Sequence, residues 1–326
     1  MLSLLLDNPL GRIRSYLFLT LLALPALWPW LDFGSASLPR TNDALPHLYR
    51  SVALQAALRS GTLYPRWAPD LVHGYGYPVF NFFPPLAHYV VVLLHAFGLN
   101  FLDAYKLATA LALLLAGLFA WELGRATVGE PAALLVGAIY LYSPYLLYDA
   151  HIRGSLPENV ALAALPLALL FLRRAALGNV RAIPPAALAF AVFLFAHQGV
   201  ALQAAPFIGL WGLFFEWRTS AALPRRRPVI TISVLLLGLL LAAFFWLPAL
   251  AESKFVQIWR GTANGGMAYT LNFFPVLDFL RFPRLPVDPA LLNPPLARSL
   301  PHAALLALLA LPYAWRALSA ELRRLA

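Results

Sequence analysis

The stretch Thr41-Asn42-Asp43-Ala44-Leu45-Pro46-His47-Leu48-Tyr49-Arg50 carries the densest set of chemically useful side chains in the chain. Thr41 or Asn42 can cap a helix, and Pro46 is tolerated near its start. Such a helix would run to about Arg59 and stop at Ser60-Gly61. Asp43, His47 and Arg50 then fall at i, i+4 and i+7, on one face. An Asp and a His so placed can share a metal ion or a proton, with Arg50 reaching toward a phosphate. The same spacing also fits a plainer arrangement, with Asp43 a first-turn acid favouring the helix dipole and His47 a solvated neighbour.

A second cluster is Tyr148-Asp149-Ala150-His151-Ile152-Arg153-Gly154-Ser155-Leu156-Pro157-Glu158-Asn159. Charges at a membrane edge are expensive unless paired or used. Arg153 and Glu158 therefore either pair with each other or serve a site. Between the two clusters lie Tyr64-Pro65-Arg66-Trp67-Ala68-Pro69-Asp70, then His73 to Pro78, then Asn81 to Pro85. So much Pro, Gly and aromatic residue describes an ordered loop. Arg66, Trp67, Asp70, Tyr75 and Tyr77 are its candidate substrate contacts, although aromatic anchoring at a membrane interface explains individual tyrosines as well. Smaller signals are His197 with Gln198, and Glu252 with Lys254.

The elements that must position these residues are transmembrane helices. Of 326 residues, 61% are hydrophobic and 12% charged, and the mean hydropathy is +0.72. Soluble domains are nearer half apolar and a quarter charged. Apolar stretches close to the ~20 residues that cross a bilayer recur along the chain, without the polar stripe of a soluble helix. The net charge of +10 is explained by Lys and Arg at helix ends, so nucleic acid is not an expected partner. With no cysteine, disulfides and thiol chemistry are excluded. Arg12 and Arg14 before an apolar run suggest a signal peptide, but the run from Tyr16 to Leu31 is long, and Pro25, Trp28, Pro29 and Trp30 mark an uncleaved first span.

Apolar windows fall at 15–33, 84–99, 102–122, 132–148, 158–175, 184–198, 199–217, 229–250 and 302–318. If 84–99 does not cross, then Arg125, Arg173, Arg174, Arg181, Arg218, Arg225, Arg226, Arg227, Arg316, Arg323 and Arg324 share the side of Arg12 and Arg14. The short loops on the other side then hold only Arg153. The positive-inside rule thus favours eight spans with both termini cytoplasmic, and 84–99 becomes an outer-face interfacial helix. The expected architecture is an all-α polytopic membrane protein, a single transmembrane domain over 1–326. Its large outer loops are 34–101 and 251–300, and its active site would lie at the outer face.

Several motifs carry a resemblance: D-x-x-x-H (Asp43, His47), G-x-L-Y-P-R-W (Gly61 to Trp67), G-Y-G-Y-P-x-F-N-F-x-P-P-L (Gly74 to Leu86) and F-F-W-L-P-A-L-x-E (Phe244 to Glu252). They resemble bacterial multispan proteins labelled 6-pyruvoyl-tetrahydropterin synthase-related. The zinc-binding histidines of the soluble synthase are not evident, so the label implies no pterin chemistry. The order of the outer clusters is also similar to the GT-C fold of membrane glycosyltransferases, in which a long first outer loop bears an acid and a second acidic motif follows a later span. The stretch from His151 to Val160 resembles that second motif in oligosaccharyltransferase catalytic subunits, with Glu158 as counterpart of its acid and Asp43 as the loop acid.

What the resemblance implies is a GT-C-like bundle in the bacterial cytoplasmic membrane that moves a sugar from a polyprenyl-phosphate carrier to a saccharide, lipid or protein acceptor. Asp43 and Glu158 would be catalytic. His47, Arg50, Arg66, Trp67, Asp70, Tyr75, Tyr77, Arg153, His197, Glu252 and Lys254 would contact substrate. The resemblance leaves open whether a divalent cation, Mg or Mn, is held by Asp43, His47 and Glu158. The loop shows one acid where many GT-C enzymes have a pair, and relatives usually continue past eight spans, so a C-terminal extension is expected to be lacking. The alternative expectation is a lipid-linked saccharide transporter or a non-catalytic membrane scaffold of the same fold; largely clean spans argue against transport.

Overall fold

The computed structural model describes residues 9–130, 132–218, 227–257, 275–280, 306 and 309. Among them, the only extended pairing is an isolated bridge between Ala68 and Tyr77; the rest is helix and loop. Helix α1 spans Pro9–Leu27 and α2 spans Ala44–Arg59. Helix α3, Leu86–Ala96, has 11 residues. At 1.5 Å per residue it is about 16 Å long, too short to cross a ~30 Å hydrocarbon layer. Helix α4 is Phe101–Thr127. Helix α5, Ala132–Leu141, continues through Pro144–Tyr148 into a π-turn at Asp149–Arg153. Then come α6 (Leu156–Ala176), α7 (Ile183–Ala196), α8 (Gln198–Arg218), α9 (Arg227–Leu241) and α10 (Ala243–Ala251).

Among the described residues four helices are long and apolar enough to cross a membrane: Leu10–Trp30, Phe101–Thr127, Ala132–Arg153 and Leu156–Ala176. A fifth follows if the pair Pro228–Leu241 and Ala243–Ala251, bent by 70°, is one span. The eight spans expected from hydropathy and loop charge are therefore not confirmed among the described residues. The 229–250 window is a broken helix, the windows 184–198 and 199–217 give shorter apolar helices, and 302–318 lies outside the described residues. So does most of the expected loop 251–300.

Helix α6 is the hub of the bundle, packing on α4, α7 and α8, while α5 packs on α4. The α4–α5 contact is close because of glycine. A Cβ on Gly137 would come within 2.9 Å of both the Gly117 carbonyl oxygen and Trp121 Cβ, the small-residue approach typical of membrane helices. Pairs between α1 and α4 define the two ends of the bundle. At one end Glu122 meets Arg12 and Arg125, each at 3.2 Å, and the Tyr16 hydroxyl donates to Glu122 at 2.7 Å. At the other end the loop after α1 is stapled to the start of α4. The Gly34 amide donates to Asp103 at 3.0 Å, and the buried Lys106 ammonium donates to the Asp32 carbonyl at 2.5 Å and the Ser35 hydroxyl at 2.8 Å. A cation sealed in an apolar helix is tolerated because backbone and side-chain acceptors replace its hydration.

The long loop folds back at this second end. Its aromatic stretch is ordered: Ala68 and Tyr77 exchange backbone hydrogen bonds at 2.9 and 3.0 Å, and the Gly76 amide donates to the Leu71 carbonyl at 3.0 Å. Within that turn Val72 is held at φ 55°, an outlier for a β-branched residue that only surrounding structure can enforce.

Candidate functional site

The two polar clusters meet at the stapled end of the bundle. The Asn42 amide donates to the Ile152 carbonyl at 3.1 Å, and the Asp43 amide to the Arg153 carbonyl at 2.7 Å. The opposing chain is the π-turn that ends α5, a device that re-aims side chains and is frequent at functional sites. Gly154 follows at φ 72°, its carbonyl accepting from the buried Tyr105 hydroxyl at 2.9 Å. A Cβ on Gly154 would lie 2.6 Å from Thr41 Cβ and overlap the Thr41 hydroxyl. Gly154→Ala is therefore expected to cost about 2–4 kcal/mol, combining left-handed strain with overpacking. Gly34→Ala, equally left-handed at φ 80° but with nothing within 4 Å of the new Cβ, should cost only about 1 kcal/mol. Thermal unfolding in detergent compares the two, and equal costs would refute the docking argument.

This docking sets Asp43 beside Arg153. Asp43 occupies the N-cap of α2 but makes no side-chain cap hydrogen bond; its carboxylate instead accepts from Arg153 Nε at 3.3 Å. Arg153 Nη1 donates to Glu158 Oε2 at 2.6 Å and stands 3.7 Å from Asp149 Oδ1. Glu158, buried in the first turn of α6, also accepts from the Tyr145 hydroxyl. Three carboxylates from three elements thus surround one guanidinium. His197 sits at the extended break between α7 and α8. Its Nδ1 accepts the Val200 amide at 3.2 Å, which leaves the proton on Nε2, 3.9 Å from Glu158.

Beside this cluster lies a cavity of about 230 Å³, lined by residues that include Asp43, His47, Arg50, Phe83, His88, Arg153 and His197. Arg50 Nη1 is 3.3 Å from His47 Nδ1, and its guanidinium lies 5.0 Å from the centre of the Phe83 ring. Behind them the buried Ser51 hydroxyl is 3.1 Å from His88 Nδ1. Burial, reinforced by the neighbouring His88 and by the Arg50 guanidinium, holds His47 well below the usual histidine range. Burial also pushes His88 down to about 3, with Arg50 adding to the effect. Both are neutral at neutral pH. Between about pH 3 and 6.5 the unfolded state binds a proton that folded His88 refuses, so stability is lost as pH falls through that window. The slope is at most about 1.4 kcal/mol per pH unit for each such histidine. Melting curves from pH 7 to 5 should be shallower for His88→Gln than for the unaltered protein; equal slopes would show that His88 is not held neutral.

Asp43, His47, Arg50, Arg153, Glu158 and His197 therefore come together. The remaining expected contacts lie elsewhere. Arg66 donates to Asn81 Oδ1 at 2.8 Å and to the Phe244 carbonyl at 3.0 Å, and Asn81 Nδ2 donates to Glu252 Oε2 at 2.8 Å. Arg66 and Glu252 thus clamp the long loop onto α10 and do not line the cavity. Trp67, Asp70, Tyr75 and Tyr77 are exposed on the loop, Trp67 lying over Gly76, and Lys254 is exposed after α10 next to Phe255. The three-ligand metal set of Asp43, His47 and Glu158 is left open by the resemblance. Among the described residues no three His, Asp or Glu side chains are grouped as metal ligands. Arg153 occupies the space between Asp43 and Glu158 and supplies the positive charge there.

Sequence reasoning passed over Asp149, His88, Asn81 and Lys106. Asp149 is fully buried, and its carboxylate oxygens have no hydrogen-bond partner among the described residues. Its spacing of i, i+4 from Arg153 was the available signal.

Helices of this length and apolarity, bearing polar chemistry only at their ends, define an integral membrane protein. More specifically, the chain belongs to the 6-pyruvoyl-tetrahydropterin synthase related domain family of membrane proteins, which it matches over residues 80–286. That stretch holds Asp149, Arg153, Glu158, His197 and Glu252; Asp43, His47 and Arg50 precede it. No curated protein and no solved structure matches the chain.

Proposed function

We propose that the protein is a GT-C-type glycosyltransferase that moves one sugar from a polyprenyl-phosphate carrier to an acceptor hydroxyl at the outer face of the cytoplasmic membrane. The observation that carries the reading is that Arg153 joins Asp43, from the long loop, to Glu158, from the end of a span, at the wall of one cavity. The outer-face assignment rests on the positive-inside rule, since Arg12 and Arg125 collect at the opposite end of the bundle.

In the proposed step the acceptor oxygen attacks the anomeric carbon while the bond from that carbon to the phosphate oxygen breaks. The electron pair leaves with the polyprenyl phosphate, and the hydroxyl proton passes to the Asp43 carboxylate. The leaving group is already an anion, so it needs charge stabilisation more than a strong acid. Asp43 is suited to the base role because it is partly exposed at the cavity. Glu158 and Asp149 are buried beneath Arg153, where they orient that guanidinium.

The test is transfer of radiolabelled monosaccharide from a polyprenyl-phosphate donor to membrane extract by the purified protein. Product that requires Asp43 supports the reading. Absence of turnover across the common polyprenyl-phosphate sugars would overturn it.

A further inference from the structure

We infer that Arg50, together with His47, forms a subsite for a single phosphate group bearing no more than one sugar residue. This rests on the proposed transfer reaction for its role, but not for its existence. Of the cations described at this end of the bundle, Arg153 is already matched by Asp43, Asp149 and Glu158. Lys106 is matched by Asp103 and by carbonyls of the loop after α1. Arg66 is bound to Asn81 and the Phe244 carbonyl, and Arg40, Arg59 and Lys254 stand exposed outside the cavity. Arg50 lines the cavity and has no carboxylate within ion-pairing distance among the described residues. Its hydrogen-bond partner among the described residues is His47 Nδ1 at 3.3 Å, while Tyr77 and Asp43 act on its charge from farther away.

A half-buried guanidinium with no carboxylate at ion-pairing distance keeps part of its desolvation cost, which an anion in the cavity would offset. The planar face of Arg50 is occupied by Phe83, which fixes the plane and leaves the edge N–H groups to grip phosphate oxygens. By donating to His47 Nδ1, Arg50 also selects the tautomer in which His47 Nε2 carries the proton, adding a neutral donor to the same cavity. One guanidinium without a close ion-pair partner, with the Asp43 carboxylate in the same cavity, fits one phosphate better than a diphosphate. The cavity of about 230 Å³ is below the ~300–1,000 Å³ of pockets that hold drug-sized ligands, so a longer saccharide would project from it.

The experiment measures binding, with no turnover required. The full chain in nanodiscs is titrated with polyprenyl monophosphate, inorganic phosphate and uncharged polyprenol, for the unaltered protein, Arg50→Gln, Arg50→Lys and Arg66→Gln. The expected result is that the unaltered protein and Arg66→Gln bind polyprenyl monophosphate but not polyprenol. Arg50→Gln should lose about 10–100-fold in affinity, the worth of a charge-assisted hydrogen bond, and Arg50→Lys should lose less. If Arg50→Gln fails to fold, Arg50→Lys carries the comparison. Equal binding by the Arg50 variants and the unaltered protein would overturn the subsite while leaving transfer standing. Binding of inorganic phosphate alone, lost with Arg50, would keep the subsite and overturn the lipid-carrier reading. No phosphate binding of any kind would overturn both.

Discussion

Asp43→Asn and Asp43→Ala are expected to reduce sugar transfer by about 10²–10⁴-fold, the usual contribution of a positioned general base, while leaving the fold intact. The two effects separate because of where Asp43 sits. Its side chain is 40% exposed and its partner Arg153 is 36% exposed, so the ion pair between them contributes at most about 1 kcal/mol. The backbone docking that holds the loop uses the Asn42 and Asp43 amides, which either substitution retains. Asp43→Asn is the sharper variant, since it keeps the shape and removes only the capacity to take a proton. The measurement is initial transfer rate alongside the thermal midpoint in the same detergent. Turnover within threefold of the unaltered protein in either variant would remove Asp43 from the base role. A large fall in midpoint would instead assign it to the fold.

The membrane character and the boundaries of α2 follow from local signals, hydropathy and helix spacing. The meeting of the Asp43 and Arg153 regions is expected only from the charge balance of the loops and from the GT-C resemblance. Much of the rest depends on distant partners. The 229–250 window is mostly apolar, and Gly238 and Pro248 flank the 70° bend between α9 and α10 without fixing its place or angle. Arg66 reads as a phosphate ligand because it lies in a motif of aromatic residues. Its true partners, Asn81 and the Phe244 carbonyl, are 15 and 178 residues away. Glu252 is fixed by Asn81 across 171 residues, so two separate motifs turn out to be halves of one clamp. The question of a metal ion, left open by the resemblance, turns on a comparable point. Spacing shows that carboxylates share a face, but not that Arg153 would stand between them.

That central position makes Arg153 the residue whose loss should cost the fold most. Arg153→Met is expected to destabilise the protein by about 3 kcal/mol, at the low end for breaking a buried pair because the guanidinium is partly solvated. The penalty arises from what remains: Glu158 at 3% side-chain exposure and Asp149 at 1% would be left without a cation, and a buried unpaired carboxylate must either stay charged in a poor solvent or take up a proton. If so, the damage should be conditional on those acids. Glu158→Gln in the Arg153→Met background should recover part of the loss, although Glu158→Gln alone is destabilising, because the amide keeps the hydrogen bond from Tyr145 without the charge. The double-mutant cycle, read as unfolding midpoints in detergent, should therefore show a coupling of about 1–3 kcal/mol. Additive losses would mean that Arg153 and Glu158 are neighbours without being partners, and the assembly of the site would then rest on the backbone contacts between residues 42–43 and 152–153 alone.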